Sequence, residues 1–147
     1  MTMIWQKGQF SISTERSKLQ LDEIYAYLSR SYWAAERPKE VVQHSIENSL
    51  CFGLFEHERQ IGFARVITDY AVLAHICDVY VLEAYQHKGL GKWLLSVVMS
   101  HPDLQEITKW SLATRDAHGF YRQFGFRELK KPEMQMEYIR PTIQVDW

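Results

Sequence analysis

The stretch Gln86-His87-Lys88-Gly89-Leu90-Gly91 constrains this chain more than any other. An apolar, strand-like segment, His75–Leu82, runs into it, and a helix-like pattern, Lys92–Met99, runs out of it. A strand that turns through two glycines into a helix leaves several backbone N–H groups without intrahelical partners at the positive end of the helix dipole. Such a turn suits a phosphate or pyrophosphate. The sequence therefore predicts a strand–turn–helix unit and a phosphorylated ligand for it to hold.

The bulk numbers narrow the setting. At 147 residues, 46% hydrophobic and 14% aromatic, the chain can bury one sizeable core as a single unit over residues 1–147. A net charge of −1 with both signs interspersed removes any global electrostatic case for nucleic acid or an anionic membrane as partner. The apolar stretches are too short for a membrane span, and Met1–Lys7 lacks the apolar core of a signal peptide, so a cytoplasmic location is expected. Cys51 and Cys77 both fall in apolar strand-like settings and are expected as reduced thiols. The six histidines show no ligand spacing, and no metal is expected.

Periodicity sets the order of elements. Phe10–Ser13 alternates like an edge strand, and Leu21, Ile24, Tyr25 and Leu28 line one face of a helix over about 18–30. Pro38 can open a second helix, with Val41, Val42 and Ile46 facing inward. Leu50–Phe55 and Ile61–Thr68 read as a hairpin, and the strand ending at Leu82 follows. After the glycine-rich turn come a helix to about Ser100, a strand over Ile107–Ala113, a helix from about Arg115 to Gln123, and strand-like segments at Phe126 and Met134–Ile139. The order β-α-α-β-β-β-α-β-α-β-β mixes hairpins with one crossover. It predicts an α+β domain with a mixed, mostly antiparallel central sheet flanked by helices.

Order and motifs together resemble the GCN5-related N-acetyltransferase (GNAT) superfamily. Its acetyl-CoA loop reads Arg/Gln-x-x-Gly-x-Gly/Ala, which Gln86, Gly89 and Gly91 satisfy at the expected strand–helix junction. A second family signature, Asn-x-x-Ala-x-x-aromatic-Tyr ending in Gly-Phe, is matched by Thr114 through Phe126, with Ala117, Phe120, Tyr121, Gly125 and Phe126 in place. The rival dinucleotide-binding unit needs a third glycine where Leu94 stands. The resemblance implies acetyl-CoA as cosubstrate, bound by the backbone of His87, Lys88, Gly89, Leu90, Gly91 and Lys92, with Gln86 shaping the turn. Many members carry arginine at the Gln86 position, and Lys88 or Lys92 is then the candidate replacement charge. Val79 and Val81 match positions whose main-chain groups pair with the pantetheine arm. Thr114 stands where an asparagine commonly contacts the cosubstrate, and threonine offers only a hydroxyl there. The resemblance also admits a homodimer through late strands such as Met134–Ile139.

For chemistry, Tyr121 matches the family tyrosine that faces the CoA sulfur, where a phenol can protonate a departing thiolate. Asp78 is the first candidate for the base that takes a proton from the acceptor ammonium, because a carboxylate inside an apolar strand is costly unless paired. A structural aspartate is the competing reading. Asp69, His75 and Glu83 stand behind it at strand ends, and Asp116 and His118 beside Tyr121. Tyr32 and Trp33 fall where the family walls its acceptor pocket, and serve equally well as packing residues. The expected activity is N-acetylation of a small-molecule primary amine by direct attack. A non-catalytic CoA-binding module and a protein or peptide N-acetyltransferase are the alternatives.

Overall fold

Buried residues run without a break through Cys51–Phe55 and Gln60–Val66, so both faces of these strands are covered, which requires helices on both sides of a sheet. The structure, a computed structural model, describes residues 2–141. Its elements are β1 (Ile4–Lys7), β2 (Phe10–Ser13), α1 (Leu21–Leu28), α2 (Lys39–Glu47), β3 (Leu50–Glu56), β4 (Arg59–Thr68), β5 (Leu73–Val81), α3 (Leu90–Ser100), β6 (Lys109–Leu112) and α4 (His118–Arg122). The six strands lie side by side in chain order. Neighbours are antiparallel except β5 and β6, which the α3 crossover makes parallel.

Two apolar layers sandwich this sheet. On one face Phe52, Leu54, Ile61, Val66 and Ile76 pack with Leu94, Leu95 and Val98 of α3, and the aromatic residues of α4 join them. On the other face Cys51, Phe63 and Tyr80 pack with Ile24 and Leu28 of α1 and Val42 and Ile46 of α2. Val41, expected inward, is exposed, because the buried stripe of α2 runs through Val42 and Ile46 one turn apart.

The mixed sheet and its flanking helices follow the expected plan, with two departures at its ends. An unexpected strand, Ile4–Lys7, pairs with β2 across a two-residue turn at Gly8, whose φ is +62°. Conversely, Phe126 and Met134–Ile139 are not strands. Met134, Met136 and Tyr138 stand exposed, and no neighbouring chain segment supplies a ladder for them among the described residues. Alternation alone does not make a strand without a hydrogen-bonding partner.

β4 tolerates no side chain at Gly62. A Cβ there would sit 2.8 Å from Leu54 Cδ2 and 2.9 Å from the Tyr80 carbonyl oxygen. Gly62→Ala is expected to cost about 1–3 kcal/mol by overpacking, lowering Tm by roughly 3–10 °C. An unchanged Tm in thermal denaturation would contradict this packing.

Candidate active site

The turn before α3 has the geometry its glycines predicted. His87 and Gly89 take positive φ values of 64° and 79°, and no side chain caps the helix. Trp93 is the first residue to bond back into the turn, donating to the Gly89 carbonyl at 3.0 Å. The N–H groups of His87 through Lys92 have no acceptor within the described chain, so they form an anion-accepting cradle. Leu90 contributes only its backbone, since its side chain is buried. Gln86 donates Nε2 to the Val81 carbonyl at 2.9 Å, tying the turn to the end of β5. Lys88 and Lys92 are both exposed, and Lys88 Nζ lies 5.7 Å from the centre of the Tyr85 ring.

Beside this cradle β5 loses its parallel neighbour. Leu73 through Ile76 pair with Lys109 through Leu112, and beyond them Cys77–Val81 face no strand on that side among the described residues. Val79 and Val81 therefore lie on a free backbone edge, although the Val81 carbonyl already accepts from Gln86. On its other side β5 bulges: Phe63 faces Tyr80 and Arg65 faces Cys77, so Asp78 and Val79 together oppose Ala64. Asp78 takes the strain of this bulge, with φ +56°.

The Asp78 side chain explains why the bulge holds. Its carboxylate accepts from Arg65 Nε at 2.8 Å, Arg37 Nη1 at 3.0 and 3.1 Å, and Trp33 Nε1 at 2.8 Å. Arg65 in turn donates to the Ser49 hydroxyl at 3.0 Å. With its side chain only 1% exposed, Asp78 is an anchor for β4 and the α1–α2 loop. Two guanidiniums and an indole occupy the lone pairs that a base would need, which favours the structural reading over the proton-accepting one.

The reserve bases fare no better. Asp69 accepts from the N–H groups of Ala71, Val72 and Leu73, which hold its carboxyl below the usual range. Glu83 is pulled down to about 2 by hydrogen bonds from Arg30. His75, lowered by burial and by Arg65, contacts the Ser111 hydroxyl at 2.9 Å in the paired half of β5. Asp116 lies 3.9 Å from Arg115 on the exposed side of the loop before α4, and His118 at the start of α4 is exposed too.

α4 delivers Tyr121 to the same cleft. The Thr114 hydroxyl accepts from Ala117 N–H at 3.1 Å, so it closes the turn into the helix. Tyr121 is half-buried, edge-on to Phe120 and Phe126 at ring distances of 5.1 and 6.0 Å. Burial raises its phenol to about 12, with smaller contributions from nearby Tyr32 and Cys77. It therefore stays protonated across the neutral range. Tyr32 reaches over from the α1–α2 loop: its hydroxyl accepts from Arg115 N–H at 2.9 Å, and the Arg115 guanidinium lies 3.9 Å from its ring centre. Trp33 stacks edge-on against Tyr32 at 5.2 Å. The sequence pattern singled out Tyr32, Trp33 and the charged run Glu36–Glu40 that holds Arg37, but not Arg65 or Arg115, which meet Asp78 and Tyr32 across the fold. Those arginines carried no sequence signal beyond their charge.

Comparison with known proteins matches this geometry. The family model of the acetyltransferase (GNAT) domain matches residues 47–128, which include the cradle, the free β5 edge and Tyr121. A solved Xanthomonas campestris structure described as a GNAT-family acetyltransferase is 44% identical, with a TM-score of 0.87 over 90% of this chain and 94% of that one. A Gibberella zeae protein named as an acetyltransferase is 28% identical, with 86% of this chain and 84% of that one aligned. The histone acetyltransferase TAP1 of Glycine max is 36% identical over 72% of this chain, which spans 44% of that protein. The chain belongs to the GNAT family and is an N-acetyltransferase.

The raised Tyr121 phenol gives a spectroscopic prediction. The folded chain holds this proton more tightly than the unfolded chain, so its share of stability is present below about pH 10 and lost as pH rises toward 12. A difference titration of wild type against Tyr121→Phe is expected to show little phenolate up to about pH 11. A midpoint near the ordinary tyrosine value would contradict the burial.

Proposed function

We propose that the protein transfers the acetyl group of acetyl-CoA to a primary amine of a small molecule by direct attack. The observation that carries this reading is one juxtaposition: the unpaired β5 edge runs from an N–H-lined helix start to a neutral phenol. The residues present fit the cosubstrate. The amides of His87 through Lys92 suit its pyrophosphate, and the free edge at Val79 and Val81 suits an extended arm that hydrogen-bonds like an added strand. The hydroxyl of Thr114 is the weakest contact in this set, since its oxygen already accepts from Ala117 N–H.

In this reading the Val79 N–H polarises the thioester carbonyl. The amine nitrogen forms the new C–N bond as the C–S bond breaks, the sulfur takes the Tyr121 proton, and the proton shed by the amine passes to water. Asp78 is assigned to holding the bulge that aims Val79, not to proton transfer. A cytoplasmic location accords with the two free thiols.

The test is thiol release over an amine panel, paired with calorimetry of CoA binding. Tyr121→Phe is expected to lower kcat by roughly 10²–10⁴ while leaving CoA affinity within about twofold. A kcat loss smaller than about tenfold would sink the acid assignment. CoA binding without thiol release on any amine would overturn the catalytic reading.

A further inference from the structure

The charges of the Asp78 cluster do not balance among the described residues. One carboxylate faces two guanidiniums, Arg37 and Arg65, whose side chains are only 14% and 10% exposed. The neighbouring thiols bring no negative charge, because burial pushes Cys51 up to about 12 and Cys77 up to about 11. The remaining partners, Trp33 and Ser49, are neutral donors or acceptors. With its side chain 14% exposed, Arg37 keeps contact with solvent, so the surplus charge is open to an anion.

The unbalanced charge sits at the Arg37 end. Arg65 is committed on both sides, to Asp78 and to Ser49. Arg37 gives only Nη1 to Asp78, and its Nε and Nη2 meet no acceptor among the described residues. A second cation, Arg115, lies 3.9 Å from the centre of the Tyr32 ring, which packs edge-on against the Trp33 that shares Asp78 with Arg37. Its nearest carboxylate, Asp116, is 3.9 Å away and 70% exposed, which leaves that charge largely screened by water and open to a ligand. Arg37 and Trp33 share the Asp78 carboxylate, Trp33 packs edge-on against Tyr32, and the Tyr32 hydroxyl accepts from Arg115 N–H in the loop before α4, so the cation end of the cluster and the cleft share one neighbourhood.

We propose that Arg37, with Arg115 across the aromatic pair, receives an anionic group of the acceptor. The substrate class is then a primary amine that also carries a carboxylate or phosphate. This deepens the acetyl-transfer reading and rests on it. The same positive field disfavours an ammonium over a free amine, which eases loss of the acceptor proton to water without a carboxylate base.

The experiment compares matched amines bearing a carboxylate, a phosphate or an uncharged amide, on wild type, Arg37→Gln and Arg37→Lys. Wild type is expected to prefer one anionic acceptor over the amide by at least roughly tenfold in kcat/KM, and which anion wins identifies the headgroup. Arg37→Gln is expected to lower kcat/KM for that acceptor by at least roughly tenfold more than for the amide, because loosening the Asp78 anchor affects both acceptors alike while the lost anion contact affects only one. Arg37→Lys should recover part of the loss, and Arg115→Gln should act in the same direction if Arg37→Gln folds poorly. Equal kcat/KM for anion and amide in wild type, or equal losses for both in Arg37→Gln, would overturn the proposal. Calorimetry with the N-acetylated products on CoA-saturated protein separates the two readings. Anion-dependent product binding without turnover sinks the transfer reading alone, and transfer without anion preference sinks this one alone.

Discussion

The site exists because β5 leaves β6 after Ile76 and Leu112 and bulges away from β4 two residues later. A backbone edge freed in the middle of a sheet is a liability unless something pairs with it. Here the freed edge starts beside the acidic anchor at Asp78 and ends at the cradle before α3, with the Gln86 side chain stitching one to the other. The opening, the bulge and the helix start are thus one continuous device. The opening therefore offers unpaired backbone groups along its middle and free N–H donors at one end.

Polar chemistry under the sheet holds that device open. Buried ion pairs contribute little net stability when desolvation is counted, but removing one partner typically costs about 3–5 kcal/mol. Asp78 therefore acts less as a source of stability than as a fixed point. Its three donors come from β4 and from two places in the α1–α2 loop, so the loop cannot move without stranding a buried charge. Through Tyr32 and Arg115 the same loop is tied to the turn before α4, which carries Tyr121. The bulge that aims Val79 and the helix that carries the phenol are linked through a single connected network.

Much of this was legible in the sequence where the signal is local. Gly89 announced a positive-φ helix start, and the alternating run through Val81 announced a buried strand. The second signature placed Tyr121 on a short helix that Gly125 ends, and Thr114 at its entry turn. Where the signal was not local, pattern reading failed in both directions. Ile4–Lys7 became a strand because β2 was available to pair with it, while Met134–Ile139, with a better alternation, found no partner among the described residues. For Asp78 the sequence left a base and a structural aspartate side by side, and the positions of Arg37, Arg65 and Trp33 favour the structural reading.

By itself the sequence determined the strand–turn–helix cradle, the family and the phenol, because each depends on residues adjacent in the chain or on a short motif with fixed spacing. The tertiary structure decided what those residues face. The charge balance of the Asp78 cluster, the neutrality of Tyr121 and the two arginines flanking Tyr32 and Trp33 arise from side chains up to 83 positions apart. Burial and Coulomb interactions depend on distance in space, and one-dimensional spacing carries no record of that distance once the chain has folded back on itself.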